Sequence, residues 1–222
     1  MSNKRLEKMC TDEILSLAEL KEDLYFKKLP EDKIKYYVYE SMKIGEEAAK
    51  KIICSNPNKN IRDICEDKKI KIELKTDEYD FEIIQMRGKY DAIEKKILLY
   101  DKSIKWLEDE FNKLKVDKMF DYETIAEIHI AHELFHYLEI EEIDYVYDKL
   151  DKAVVFKMGP IKKNYPIVKT SDIAAHIFCK NVLNLPFNPK IMDYYYLIGK
   201  GYIDFDYLEN YFRELDETLK CN

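Results

Sequence analysis

Near the middle of the chain stand His132-Glu133-Leu134-Phe135-His136. On a helix, residues i and i+4 share one face about a turn apart, so both imidazoles can reach one metal ion. Glu133, one position after the first histidine, is angled off that axis. There it can accept a proton from a water that zinc makes acidic near neutral pH. The order and spacing suit zinc-assisted hydrolysis, with His132 and His136 as ligands and Glu133 as general base. Chance alone would place the motif in about one chain per hundred of this composition. Its surroundings add weight. Ile125, Ala126, Ile128, Ile130, Ala131, Leu134 and Leu138 make the helix mostly buried, where two histidines and a glutamate without partners would be costly to desolvate. A metal relieves that cost.

A zinc hydrolase needs a third protein ligand and an open position for water. The run Ser171-Asp172-Ile173-Ala174-Ala175-His176 offers two candidates, again at i and i+4. Either Asp172 or His176 could bind zinc while the other holds a ligand imidazole from behind, and the sequence leaves that choice open. His129, one turn before His132, reads as a supporting or packing residue, as does the unchosen member of the Asp172/His176 pair. Glu139, so close after His136 that it would struggle to complete a tetrahedron, reads as a solvated residue paired with a lysine. Cys179 reads as core.

These residues must be positioned by helices and a small sheet. Residues 3–28 suggest one or two charged helices without an evident role. Leu29-Pro30-Glu31-Asp32 looks like a helix start. Ile34, Tyr37, Val38, Ser41, Gly45, Ala48, Ala49 and Ile52 then repeat at helical spacing, with small residues that permit close packing. Residues 61–66 suggest a short helix. Residues 69–75 alternate strictly, as a half-buried strand does. Residues 81–86 and 93–100 are further strand candidates, and Gly88 marks a turn, a bulge or a close backbone approach. Ser103 is an N-cap candidate for a helix to about residue 114. A long helix over 122–142 carries the histidines, an irregular stretch follows, and Ser171 reads as the cap of a helix to about 183. Pro186 and Pro189 punctuate, and two aromatic-rich helices close the chain.

Composition narrows the function classes. The chain has 222 residues, 46% of them hydrophobic and 36% charged, with only 5 Gly and 6 Pro, which favours helices over turn-rich β architectures. A net charge of −7 gives no reason to expect direct nucleic-acid or anionic-membrane binding. No apolar run approaches the ~18 residues of a membrane span, and the N-terminus lacks the apolar core of a signal peptide. Five widely spaced cysteines without a C-x-x-C pair argue against a disulfide framework or a cysteine zinc site. The expectation is a cytoplasmic α+β protein of one domain, helix-rich, with a small, mostly antiparallel sheet and an active-site helix.

The chain resembles the ImmA/IrrE-like zinc metallopeptidases over about residues 40–187. H-E-x-x-H is shared with many zinc hydrolases, so a second motif carries the likeness. The family's E-x-x-A-N-x-F-A reads here Asp172-x-x-Ala175-His176-x-Phe178-Cys179, with Val182, Leu183 and Pro186 after it. Ala48-Ala49 on an earlier helix and Gly88-Lys89-Tyr90 before an edge-strand candidate at 96–101 are also similar. The resemblance implies a zincin-like domain, with 1–39 a helical extension, 40–187 the metallopeptidase core and 188–222 a C-terminal helical segment. It implies His132 and His136 as zinc ligands, Glu133 as base, and Asp172 where the family has a glutamate ligand. His176 stands where Asn or Asp is common, and Phe135 replaces a common Gly. It further implies cleavage of a cytoplasmic protein, in this family a helix-turn-helix transcriptional repressor, often of a mobile element, with the substrate pairing against the edge strand. The alternative from a different class is a non-enzymatic partner-binding protein on the same scaffold, with the aromatic segment from Phe187 onward as its interface.

Overall fold

The computed structural model describes residues 9–76, 86–114, 120–158 and 161–221. Helix α1 (Asp12–Leu20) starts at Thr11, whose side chain accepts the Ile14 N–H, and a 3-10 turn covers Phe26–Lys28. Helix α2 (Glu31–Ser55) starts just after Pro30, and every apolar or small position that its periodicity marks is buried. Helix α3 (Ile61–Asp67) has a reciprocal capping box between Asn60 and Asp63. Strands β1 (Lys71–Lys75), β2 (Gly88–Asp91) and β3 (Lys96–Tyr100) form one sheet, and α4 (Asp101–Leu114) follows directly. That helix therefore begins before Ser103, which lies inside it rather than capping it.

Helix α5 (Tyr122–Leu138) carries the histidine motif, and the Asp121 side chain accepts the Thr124 N–H at its start. It runs into a π-helical turn, Glu139–Ile143, ending at Asp144 with φ 64°. Then come α6 (Val146–Lys149), a hairpin of β4 (Ala153–Met158) and β5 (Ile161–Tyr165), α7 (Lys169–Val182), α8 (Ile191–Gly199) and α9 (Phe205–Cys221). The hairpin occupies the stretch read from sequence as irregular. Its Lys- and Val-rich strands carry only weak alternation.

The three-stranded sheet has the order β1-β3-β2, with β1 parallel and β2 antiparallel to β3. Residues 96–101 are thus not an edge. β3 is the central strand, because the chain returns from β1 to pair beside it and β2 takes the other flank. The edge that faces α5 is β2. The strand candidate at 81–86 lies outside the described residues except for Met86, which is irregular. With the β4–β5 hairpin, the described pairings are mostly antiparallel, and the protein is helix-rich with a small sheet.

The core lies between α2, α5 and α7. Gly45 of α2 packs so closely on α7 that a Cβ there would stand 2.3 Å from the Ala174 carbonyl oxygen. This contact sets the depth of the helix that carries Asp172. The C-terminal aromatics mostly close the core: Tyr194, Tyr195, Tyr196 and Phe212 are buried, while Tyr202 and Tyr207 are exposed. Among the described residues no helix is long and apolar enough to cross a membrane.

Candidate metal centre

The structure brings His132, His136 and Asp172 together. Their ligand atoms lie within 4.8 Å of one another, the one such His, Cys, Asp and Glu group among the described residues. Asp172 Oδ1 is 3.7 Å from His132 Nε2 and 3.7 Å from His136 Nε2. Zinc bonds of about 2.1 Å place neighbouring tetrahedral ligand atoms about 3.4 Å apart, a difference that side-chain torsions cover. Asp172 sits in the first turn of α7, where the helix dipole favours a carboxylate. Burial works to raise its pKa, but His132, Lys169 and His136 hold the carboxyl far below the usual range. Lys169 Nζ binds the far oxygen, Oδ2, at 3.0 Å, leaving Oδ1 to face the imidazoles.

Glu139 is placed quite differently from its sequence reading. It is 1% exposed, not solvated. The π-turn that follows α5 swings it back beneath His136, whose Nδ1 lies 2.8 Å from its Oε2. An ionised carboxylate only accepts, so Nδ1 carries the hydrogen and Nε2 of the neutral ring presents its lone pair toward Asp172. Glu139 Oε1 also accepts from Ser171 Oγ at 2.5 Å and from the Val146 N–H at 2.9 Å. Ser171 is therefore a strut between the two ligand helices, not a helix cap. Burial alone would pull His136 down, yet its bond to Glu139 and the charges of Glu133, Glu139 and Asp172 leave it raised above its ordinary value.

Glu133 is also buried and reaches the sheet, where the Tyr90 backbone N–H donates to its Oε2 at 2.7 Å. Of the turn, bulge or close approach that Gly88 could mark, the structure has the close approach: a Cβ there would meet Glu133 Cγ at 3.1 Å and Oε1 at 3.3 Å. His176 lies beside the centre, its ring 5.1 Å from that of His132, but outside the set of converging ligand atoms. Burial, with the neighbouring His132, pushes it down to about 4, so it is neutral. Of the two candidates left open by sequence, Asp172 is the one whose oxygen faces both imidazoles. His129 lines the same cleft and is held neutral, first by burial and then by Arg87. Its Nε2 is buried without a hydrogen-bond partner among the described residues. Cys179 is core, with Sγ toward the Ile128 carbonyl.

The centre opens into a cleft of about 240 Å³ whose walls come from both ends of the chain. Glu19 and Glu22 arrive from α1 and its end, and Lys190 and Asp193 from the start of α8. The stretches expected to be extensions thus line the same cleft as the motif helices. An ion-pair chain runs along it. Lys169 joins Asp172 to Glu19 at 2.6 Å, Lys190 joins Glu19 at 2.6 Å to Asp193 at 3.2 Å, and Asp193 holds Arg87 at 2.8 Å. Sequence reasoning missed these partners. Glu139, three residues after His136, carried a local signal in its spacing. The others are joined only by tertiary contact.

No family model, curated protein or solved structure matches the chain.

Proposed function

We propose that this protein is a zinc metallopeptidase of the ImmA/IrrE-like kind, with His132, His136 and Asp172 as metal ligands and Glu133 as general base. The observation that carries the reading is the placement of one Asp172 oxygen 3.7 Å from both motif imidazoles, with a buried glutamate held beside them by Tyr90. The donor set of two imidazoles and one carboxylate is that of catalytic zinc sites. When bound, the metal would act as a Lewis acid that polarises a carbonyl and acidifies water.

The chain's own groups do the rest. Glu139 fixes the tautomer and direction of His136. Lys169 occupies Asp172 Oδ2 and leaves one oxygen for the metal. The Tyr90 N–H orients Glu133, whose free oxygen takes a proton from the attacking water and delivers it to the leaving amine. The β2 edge beside Glu133 is the place for an extended peptide. A cytoplasmic helix-turn-helix repressor is the substrate class that the resemblance suggests. The acidic charge of the chain fits a protein substrate rather than direct nucleic-acid contact.

The test is metal content by mass spectrometry on protein purified without chelators, with Glu133→Gln assayed beside it. About one zinc per chain, retained in Glu133→Gln while peptide cleavage is lost, supports the reading. Cleavage that survives Glu133→Gln, or no zinc uptake, sinks it.

A further inference from the structure

We propose that the cleft beside Glu133 and Asp172 holds a subsite for a basic side chain of the substrate, selected by Glu22 and Asp193. The inference deepens the metallopeptidase reading and rests on it.

The most exposed charged groups of the cleft are two carboxylates: the Glu22 side chain is 47% exposed and that of Asp193 is 39%. The cations lie deeper, Lys169 at 28%, Arg87 at 10% and Lys190 at 4%, and Glu19 is buried among them at 3%. Lys190 is bound from three sides, by Glu19 at 2.6 Å, Glu22 at 2.7 Å and Asp193 at 3.2 Å. Arg87 is bound by Asp193 at 2.8 Å. Each carboxylate oxygen has two lone pairs, so Glu22 and Asp193 keep acceptor capacity on the side turned to the cleft. An entering ammonium or guanidinium meets those oxygens first. An entering carboxylate meets the same oxygens and must break an ion pair to reach a cation beneath. An apolar side chain would desolvate the rim without replacing its water.

Two further observations point the same way. His129, on the wall of this cleft, has a buried Nε2 with no hydrogen-bond partner among the described residues, and a neutral imidazole can offer that nitrogen as an acceptor. Burial, and then the charge of Glu19, raise Glu22 above its ordinary value, against the opposing charges of Lys190 and Lys169. A third cation would oppose that rise. The net charge of −7 draws basic segments toward the protein from a distance.

The probes are acetohydroxamate and three peptide hydroxamates that differ only in the side chain next to the metal-binding group: lysine, norleucine or glutamate. Each is titrated calorimetrically into the zinc-loaded full chain. The lysine compound should bind about tenfold more tightly than its norleucine isostere, as one charge-assisted hydrogen bond implies, and the glutamate compound should bind most weakly. Glu22→Gln should narrow the ratio of lysine to norleucine. Norleucine or glutamate binding as tightly as lysine overturns the inference and leaves the metallopeptidase reading standing. An unchanged ratio in Glu22→Gln overturns the assignment to Glu22. Failure of acetohydroxamate itself to bind overturns the reading beneath, and the subsite with it.

Discussion

The Tyr90 backbone N–H donates to Glu133 Oε2 at 2.7 Å, tying the glutamate of the motif to the outer edge of the sheet. Tyr90 pairs with Ile97 of β3 on one flank, and its N–H is turned away to the other, toward α5. A strand edge normally offers such a group to water or to another chain. Here it fixes one carboxylate oxygen of a buried base and leaves the second beside Gly88. Orientation set before the substrate arrives is worth more to catalysis than the same contact formed on binding.

Gly88→Ala tests that arrangement. The added methyl would stand 3.1 Å from Glu133 Cγ, 3.3 Å from Oε1 and 3.5 Å from His129 Cβ. The glutamate must give by a few tenths of an ångström, while the metal ligands are untouched. Peptide cleavage should fall about tenfold or more, with zinc stoichiometry unchanged by mass spectrometry. Full activity in the variant would show that Glu133 does not depend on this fit.

Glu139→Gln should weaken zinc binding by about 10- to 100-fold, the usual effect of losing a carboxylate behind a ligand histidine. Glutamine keeps the volume but not the charge that orients Nδ1–H of His136. Competition titration with a zinc chelator reads the affinity. Ser171→Ala, which removes one of the three donors to Glu139, should show a smaller loss in the same direction. Wild-type affinity in Glu139→Gln would remove it from the centre.

Zinc binding should weaken as the solution is acidified, beginning above the ordinary histidine value of 6.5. Without metal, His136 is raised, because Glu139, Glu133 and Asp172 favour its charged form by more than burial opposes it. A raised value means that protons compete for the ring at higher pH than usual. Asp172, held far below its usual range, stays ionised throughout and contributes no pH dependence there. The apparent affinity should therefore be nearly level well above that value, then fall by about tenfold per pH unit for each proton displaced. An affinity that is flat from pH 8 to pH 5 would contradict it.

How much of this was legible beforehand differs by element. The 3.6-residue pattern of α2 predicted its buried face residue by residue, and the motif helix was marked both by its histidines and by its apolar flanks. Local signals failed where tertiary pairing decides. Nothing within 96–100 says that the segment lies between β1 and β2, since that depends on where two distant strands dock. Asp172 and His176 are equivalent by spacing. Only the depth and rotation of α7 turn the carboxylate toward both imidazoles. Glu139 reads as solvated because it stands too close after His136 to complete a tetrahedron; a π-turn, which no simple periodicity announces, redirects it inward. Lys169, Lys190 and Asp193 are ordinary surface types in the sequence, and their pairing in the cleft joins elements some 150 residues apart, as Lys169 and Glu19 do.

The packing of α2 on α7 supplies the last prediction. A Cβ on Gly45 would sit 2.3 Å from the Ala174 carbonyl oxygen, 3.0 Å from its carbon and 3.1 Å from its Cα. All three are backbone atoms, so no rotamer change relieves the clash and the helices must separate. Ala174 is two residues beyond Asp172 on the same helix, so the separation that admits the methyl also draws the carboxylate away from His132 and His136. Gly45→Ala should lose about 1–3 kcal/mol of stability, even though alanine is the better helix former by about 1 kcal/mol. It should also bind zinc more weakly than the wild type. Lys43→Ala, on the exposed face of the same helix, should change neither quantity. Thermal unfolding of the metal-free proteins and chelator competition separate the two effects. If Gly45→Ala were as stable as Lys43→Ala and bound zinc equally well, the close approach of α2 would not be what positions Asp172.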